Sequence, residues 1–407
     1  MKITIQEVIN IVSNHAKNEE AGNISEHTRL VGDLGLSSVD FVVIFEELVG
    51  LMNTRMNFID LIMPTRSSYV DDLTVEQIVN FINQGETTKN TEPGGDPYKE
   101  RREPIRQEDV DNLRESVQHQ TYKKEEVEDS SRFCFVLSAP RSGSTLLQRM
   151  LGCHPEIYAP MELHLMGYQD FAQRAEELKS SRHAHLLEGT IVAREETRAM
   201  TRAVSEAVES MYVKDKRSVV QFYSEISSHS NSKILVDKTP SYAFSLSTLL
   251  RIKDTFPNAK FIHLRRRANA SIKSLIDSEL IEIIRFCKTS GIGERKLAEA
   301  LWCLCEQNIL RLLEYTGDRT MRVEYESLVK KPIETMQKVH LFLGVKPSDD
   351  IDPYANTKQS TIDVGNYAGD LKNYLRSFID ERASSEWERF DSLSWLSEPS
   401  QMIMKNN

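Results

Sequence analysis

The stretch 133-FCFVLSAPRSGSTLL-147 decides how this chain is read. Its first five residues are apolar, as in a buried strand, and Ala139-Pro140 ends the run. A loop of small residues led by Arg141 follows (Ser142, Gly143, Ser144, Thr145), and a helix opens behind it. Backbone N–H groups gathered at such a helix N-terminus form a positive concavity that suits phosphate. The loop is not a Walker A sequence, because the GK[ST] ending is absent and the cation, Arg141, precedes the glycine. An ordinary strand–turn–helix with solvated serines has the same local pattern, so the surrounding chain has to decide.

Outward from the loop, strand-like runs at 233–236, 260–264 and 320–324 alternate with amphipathic helical segments. That alternation predicts an α/β domain with a mainly parallel sheet over 132–395, followed by a tail at 396–407. Residues 168–228 read as wholly helical, an insertion of the kind that covers the substrate side of an α/β nucleotide fold. Residues 85–131 are polar and charged, with Pro and Gly near 93–97, and read as a flexible linker with a transient helix near 108–118. Ahead of it, residues 1–84 form a small all-helical unit by periodicity, with helices at 3–17, 38–51 and 73–83 and a short one at 57–63.

The 407 residues are 40% hydrophobic and 28% charged, a soluble globular composition with room for two domains. The net charge of −10 disfavours nucleic-acid binding, and the acid is concentrated at the front: residues 1–84 hold twelve Asp/Glu against five Lys/Arg. The apolar runs, such as 41–45, are too short to span a bilayer, and the N-terminus lacks a signal core, so a cytoplasmic location is expected. The five cysteines are scattered, without metal-like pairs, and read as buried thiols of a reducing compartment.

The segment 33-DLGLSSVDFVVIFEEL-48 resembles the attachment site of acyl carrier proteins. The resemblance implies a four-helix bundle carrying 4′-phosphopantetheine on Ser38. Its partners would be a phosphopantetheinyl transferase and the polyketide or fatty-acid synthase enzymes that load and unload the carrier. Ser37 as an N-cap, with Asp40 completing a capping box, leaves Ser38 free. Asp33, Asp40, Glu46 and Glu47 would form an acidic face for basic partners. Ser37 and Val39 depart from the Asp and Leu usual in carriers, and the GGHS signature of peptidyl carriers is absent.

Four segments occur in the order seen in sulfotransferases: APRSGSTLLQRMLGCHPEIYAPMELHLM, ILVDKTPSYAF, FIHLRRRANASIKSLID and RVEYESLVKKP. Together they look most like the sulfotransferase domains of polyketide synthases of the curacin and olefin-synthase type. The resemblance implies 3′-phosphoadenosine-5′-phosphosulfate (PAPS) as donor and no metal. Arg141, Ser142, Gly143, Ser144 and Thr145 match the positions that hold the phosphosulfate, and Arg266 and Ser274 those that hold the 3′-phosphate. Tyr325 matches an adenine contact, and a buried packing tyrosine fits it equally. Arg265 and Arg267 read as a solvated basic turn. Glu162 matches a catalytic base, with His164 as second candidate, since residues two apart in an extended segment share a side. Lys238 matches a lysine that stabilises the transferring group. Gly369–Lys372 only faintly echoes the family's late Lys-Gly contact. The implied reaction moves a sulfuryl group to a 3-hydroxyl of an acyl chain on Ser38. The alternatives are a free small-molecule or sugar hydroxyl with the carrier as docking module, and a non-catalytic carrier or scaffold.

Overall fold

The structure is a computed structural model that describes residues 3–15, 24–30, 33, 34, 36, 44, 45, 47, 48, 51, 61, 72–84, 104–117, 122–179, 184–231, 233–277, 284, 294–352, 400, 402 and 403. The chain divides into two units; among the described residues, those up to Gln84 belong to the first and those from Pro104 onward to the second.

In the first unit, the apolar spacing produces helices Ile5–His15 and Val75–Gln84. Val8, Ile11 and Val12 of one and Ile78, Val79 and Ile82 of the other are buried in a single cluster with Leu30, Leu34, Leu36, Ile44, Phe45 and Leu48. The side chain of Asn83 ties the start of the chain to the last helix. Its Oδ1 accepts from the Ile3 amide (2.8 Å) and its Nδ2 donates to the Ile3 carbonyl (2.7 Å). Asp33 is exposed and salt-bridged to Arg29 at 2.7 Å. Ser37, Ser38 and Asp40, and most of the helices expected at 38–51 and 57–63, lie outside the described residues.

In the second unit, five strands form one parallel sheet in the order β2-β3-β1-β4-β5. They are β1 (Phe133–Leu137), β2 (Ile157–Tyr158), β3 (Ile234–Lys238), β4 (Lys260–Arg265) and β5 (Thr320–Glu324). β1 is buried along its whole length, as a strand covered on both faces by helices must be. From β1 the chain steps outward to β2 and back to β3, then crosses β1 to β4. Such a reversal leaves a crevice at the carboxyl ends of the strands. The register pairs Val136 with Lys238, Leu137 with His263 and Arg265 with Glu324, so the four long strands end along one edge.

Between β2 and β3 lie helices Phe171–Leu178, Glu188–Arg198, Arg202–Lys214 and Val219–His229. Three of their starts are capped by side chains, Asp170, Thr201 and Ser218, which accept backbone N–H groups. The expected helical insertion is present, broken where these caps fall.

The expected linker is corrected in its second half. Helix Gln107–Ser116 belongs to the second unit, and Ile105, Val110, Leu113 and Val117 are buried in its core. Arg114 and Gln107 also bond to Gln307 of the long helix Glu294–Leu313. The segment looks like a linker because its few apolar residues are set among charges, yet those few all face the core. Among the described residues no helix is long and apolar enough to cross a membrane. Cys134, Cys153, Cys303 and Cys305 are free thiols, and all but Cys153 are buried.

Leu113→Ala should therefore destabilise the protein by about 2–5 kcal/mol in urea unfolding, the usual cost of emptying a core site. A neutral result would return this segment to the linker.

Candidate active site

In the second unit, the described residues singled out from the sequence lie at the carboxyl ends of the parallel strands or in the segments that follow them. Gly143 lies at φ 88, the left-handed region, and caps helix Ser144–Gly152. An added Cβ there would lie 2.2 Å from Cδ2 of Tyr325, so the glycine is required by the tyrosine ring pressed against the loop. Gly143 therefore has a packing role that the sequence reading did not include. Arg141 also adopts a positive φ, 67. Its Nε donates to Ser274 Oγ (3.0 Å), and Arg266 Nη1 donates to its carbonyl (3.0 Å). The Arg266 guanidinium lies 4.8 Å from the centroid of the Tyr325 ring. Arg141, Arg266 and Ser274, expected to serve opposite ends of one ligand, form a single connected cluster in this structure. Tyr325 is buried and braces both the loop and Arg266.

Several features of this loop suit a polyanion. Ser138 and Ser142 are fully buried, and their hydroxyls have no hydrogen-bond partner among the described residues, an arrangement that costs stability unless an acceptor arrives. Ser144 and Thr145 stand in the first helical turn, where N–H groups lack intrahelical acceptors. Two guanidinium groups complete the cradle. Among the described residues no cluster could hold a metal ion.

The second cluster lies at the ends of β2 and β3. Lys238, 3% exposed, ends β3 and donates from Nζ to Glu162 Oε1 (2.5 Å) and, at 3.5 Å, to Thr145 Oγ1. It therefore bridges the phosphate-type loop and the carboxylate. Glu162 Oε2 lies 3.1 Å from His164 Nε2, and His164 Nδ1 lies 3.0 Å from Ser241 Oγ. With Nε2–H donating to the carboxylate, Nδ1 accepts from the serine hydroxyl. Burial pushes the Glu162 carboxyl up, but the Lys238 ammonium and the His164 hydrogen bond outweigh it and hold the group well below the ordinary carboxylate range. Glu162 and His164 do meet, though not in an extended segment. His164 has φ 48, and the left-handed turn swings its ring back to Glu162.

Residues that sequence reading passed over hold this turn. Thr239 Oγ1 accepts from the Leu163 amide (3.2 Å), and Tyr242 Oη accepts from the amides of Leu165 (3.0 Å) and Met166 (3.3 Å). Both hydroxyls donate to buried Asp237, as does Tyr223. Asp237, Thr239 and Tyr242 flank Lys238 in the VDKTPSY segment, so proximity to a candidate residue was the available signal. The late segment at 369–372 lies outside the described residues.

Residues 134–350 match the model of the sulfotransferase family. The chain is 27% identical over 223 residues to protein-tyrosine sulfotransferase 2 of Gallus gallus, covering 53% of this chain and 52% of that protein. It is 26% identical over 265 residues to the nodulation protein NoeE of Sinorhizobium fredii, covering 62% and 59%. The chain thus spans about half the length of the curated relatives it matches. Two solved structures are also similar. The sulfotransferase domain from the Synechococcus PCC 7002 olefin synthase superposes with a TM-score of 0.60 at 28% identity, covering 70% of this chain and 98% of that one. The sulfotransferase domain from the curacin biosynthetic pathway gives 0.61 at 29%, covering 67% and 96%. The chain belongs to the sulfotransferase family.

Gly143→Ala should lower stability by on the order of 1–3 kcal/mol from the left-handed backbone alone, with the clash against Tyr325 added. Shortening the partner, in Gly143→Ala/Tyr325→Leu, should recover part of the loss in thermal unfolding. No recovery would show that the ring contact is not what demands glycine.

Proposed function

We propose that the protein is a PAPS-dependent sulfotransferase whose acceptor is a hydroxyl, favoured as a 3-hydroxyl, of an acyl chain held by phosphopantetheine on Ser38. The observation that carries the transfer chemistry is the Thr145–Lys238–Glu162 contact, which sets a cation between a phosphate-type loop and a buried-edge carboxylate. The likeness to two sulfotransferase domains, one from an olefin synthase and one from the curacin pathway, supports the tethered acyl acceptor. So does the likeness of segment 33–48 to a carrier attachment site.

PAPS would supply the sulfuryl group and leave as 3′-phosphoadenosine 5′-phosphate. Arg141, the Ser142 and Thr145 hydroxyls and the first-turn amides would hold the phosphosulfate end, with Arg266 and Ser274 at the 3′-phosphate. Glu162 takes the acceptor proton as the new O–S bond forms and the bond from sulfur to the phosphate oxygen breaks. Lys238 offsets charge developing on that bridging oxygen, where a positioned cation acts most strongly. In doing so it loosens its hold on Glu162, and the carboxylate becomes more basic when a proton has to be accepted. His164, bonded to Glu162, keeps the carboxylate oriented.

The protein-tyrosine sulfotransferases among the relatives favour a second reading, in which the acceptor is a free hydroxyl or a peptide tyrosine. Loading Ser38 with a panel of 3-hydroxyacyl phosphopantetheines, adding PAPS and following intact mass separates the two. One sulfuryl group should be gained, and Ser38→Ala should abolish the gain. Transfer that survives Ser38→Ala would move the acceptor off the carrier. Glu162→Gln should lower kcat by about 10²–10⁴-fold, the range for a lost general base. Lys238→Met removes the cation that depresses Glu162, so the acid limb of kcat/KM should move to higher pH while kcat falls. An acid limb that stays in place would separate Lys238 from Glu162.

A further inference from the structure

Three helices of the insertion converge on the Glu162–His164 turn. Arg174, on helix Phe171–Leu178, is 1% exposed. Its Nε donates to the His164 carbonyl (2.9 Å), and its Nη2 donates to the carbonyls of Leu163 (2.9 Å) and Leu186 (3.0 Å). Its Nη1 donates to Glu209 Oε1 (3.0 Å), on helix Arg202–Lys214, and Thr190 Oγ1 donates to the same oxygen (2.9 Å). Gly189, on helix Glu188–Arg198, lies so close to Glu162 that an added Cβ would meet its carbonyl oxygen at 1.8 Å. Arg174 is far more buried than a surface ion pair requires, and two of its four acceptors are carbonyls of this one turn.

We propose that Arg174, held by Glu209, is a positioning residue that fixes the left-handed turn at His164 and thereby keeps the imidazole on the Glu162 carboxylate. A left-handed histidine persists only where its surroundings over-determine it. Here the planar guanidinium does so by gripping two successive carbonyls, a geometry a lysine ammonium cannot reproduce. Without the grip, the backbone relaxes, Nε2 leaves Oε2, and Glu162 keeps Lys238 as its one strong donor. The carboxylate then titrates at higher pH. The groups facing Glu162 are Lys238 from β3 and His164 from its own segment; those facing Arg174 are Glu209, Tyr168 and Tyr242. The role rests on Glu162 being the base in the proposed reaction.

The test uses Arg174→Lys and, independently, Gly189→Ala, which pushes the turn from the Glu162 side. In ligand-free protein labelled with carboxyl-¹³C glutamate, the Glu162 signal is the one missing from Glu162→Gln. As pH is lowered, it should begin to protonate at a higher pH in both variants than in the wild type. The variants should lose kcat by about 10²-fold, the effect of misplacing a reacting group. They should bind 3′-phosphoadenosine 5′-phosphate as tightly as wild type in calorimetry, because Arg141 and Arg266 lie outside the turn. An unchanged Glu162 titration in both variants would overturn the proposal, as would loss of nucleotide affinity in step with kcat, which would make Arg174 a general support of the fold. The titration needs no acceptor, so it separates this role from the reaction assigned to Glu162. If Glu162→Gln keeps its kcat, that reaction falls instead.

Discussion

Asp237 is 1% exposed at the carboxyl end of β3, and its carboxylate accepts from Tyr223 (2.5 Å), Thr239 (2.7 Å) and Tyr242 (3.0 Å). Burial raises its pKa, and the three hydroxyls pull it back, so the group is tolerable inside only because every donor is present. Each donor also anchors a different piece of chain. Tyr223 belongs to the last helix of the insertion, Thr239 holds the Leu163 amide, and Tyr242 holds the amides of Leu165 and Met166. A non-regular segment next to the core must find partners for its backbone among side chains. Residues 163–166 find their acceptors through Asp237 and their donors through Arg174 and Arg251, the latter bonding the Met166 carbonyl at 2.9 Å.

The same edge carries cations in a protein of net charge −10. The aligned strand ends bring Arg141, Lys238 and Arg266 to the crevice, and each is already engaged, by Ser274, by Glu162 and by a loop carbonyl. Prior engagement keeps the cations in place before any anion is bound. It also means that an incoming polyanion exchanges partners with them, so its charge is met without drawing extended side chains out of water.

Much of this was legible in the sequence. β1 and β5 match the expected runs residue for residue, and for β1 the reason is plain: a short apolar stretch closed by Ala-Pro leaves little latitude. The order of the motifs brought Arg141, Glu162, Lys238 and Arg266 to one edge, since each ends or follows a parallel strand. What was missed has a common cause. Ile157–Tyr158 is too short to show a period. Helix Gln107–Ser116 presents only Val110 and Leu113 to the core. Arg174 and Gly189 act on backbone atoms far along the chain, and neither the positive φ of His164 nor the ring over Gly143 leaves a trace in residue type.

The Lys238–Glu162 pair serves stability and chemistry in the same direction. A carboxyl whose folded pKa lies below its unfolded value stabilises the fold at every pH above the unfolded value, and that stabilisation is lost only as pH falls through the folded one. Near neutrality the pair is therefore intact and Glu162 is ionised, the state a base must start from. The same depression makes it a weak base for as long as Lys238 stays bound to it. Basicity has to be recovered by moving the cation, and the nearest competing demand for a cation lies across Thr145, on the loop where phosphate-type oxygens would sit. In the proposed reaction, an acceptor arriving without a donor would meet a carboxylate still committed to its lysine, and its deprotonation would be coupled to occupation of the loop.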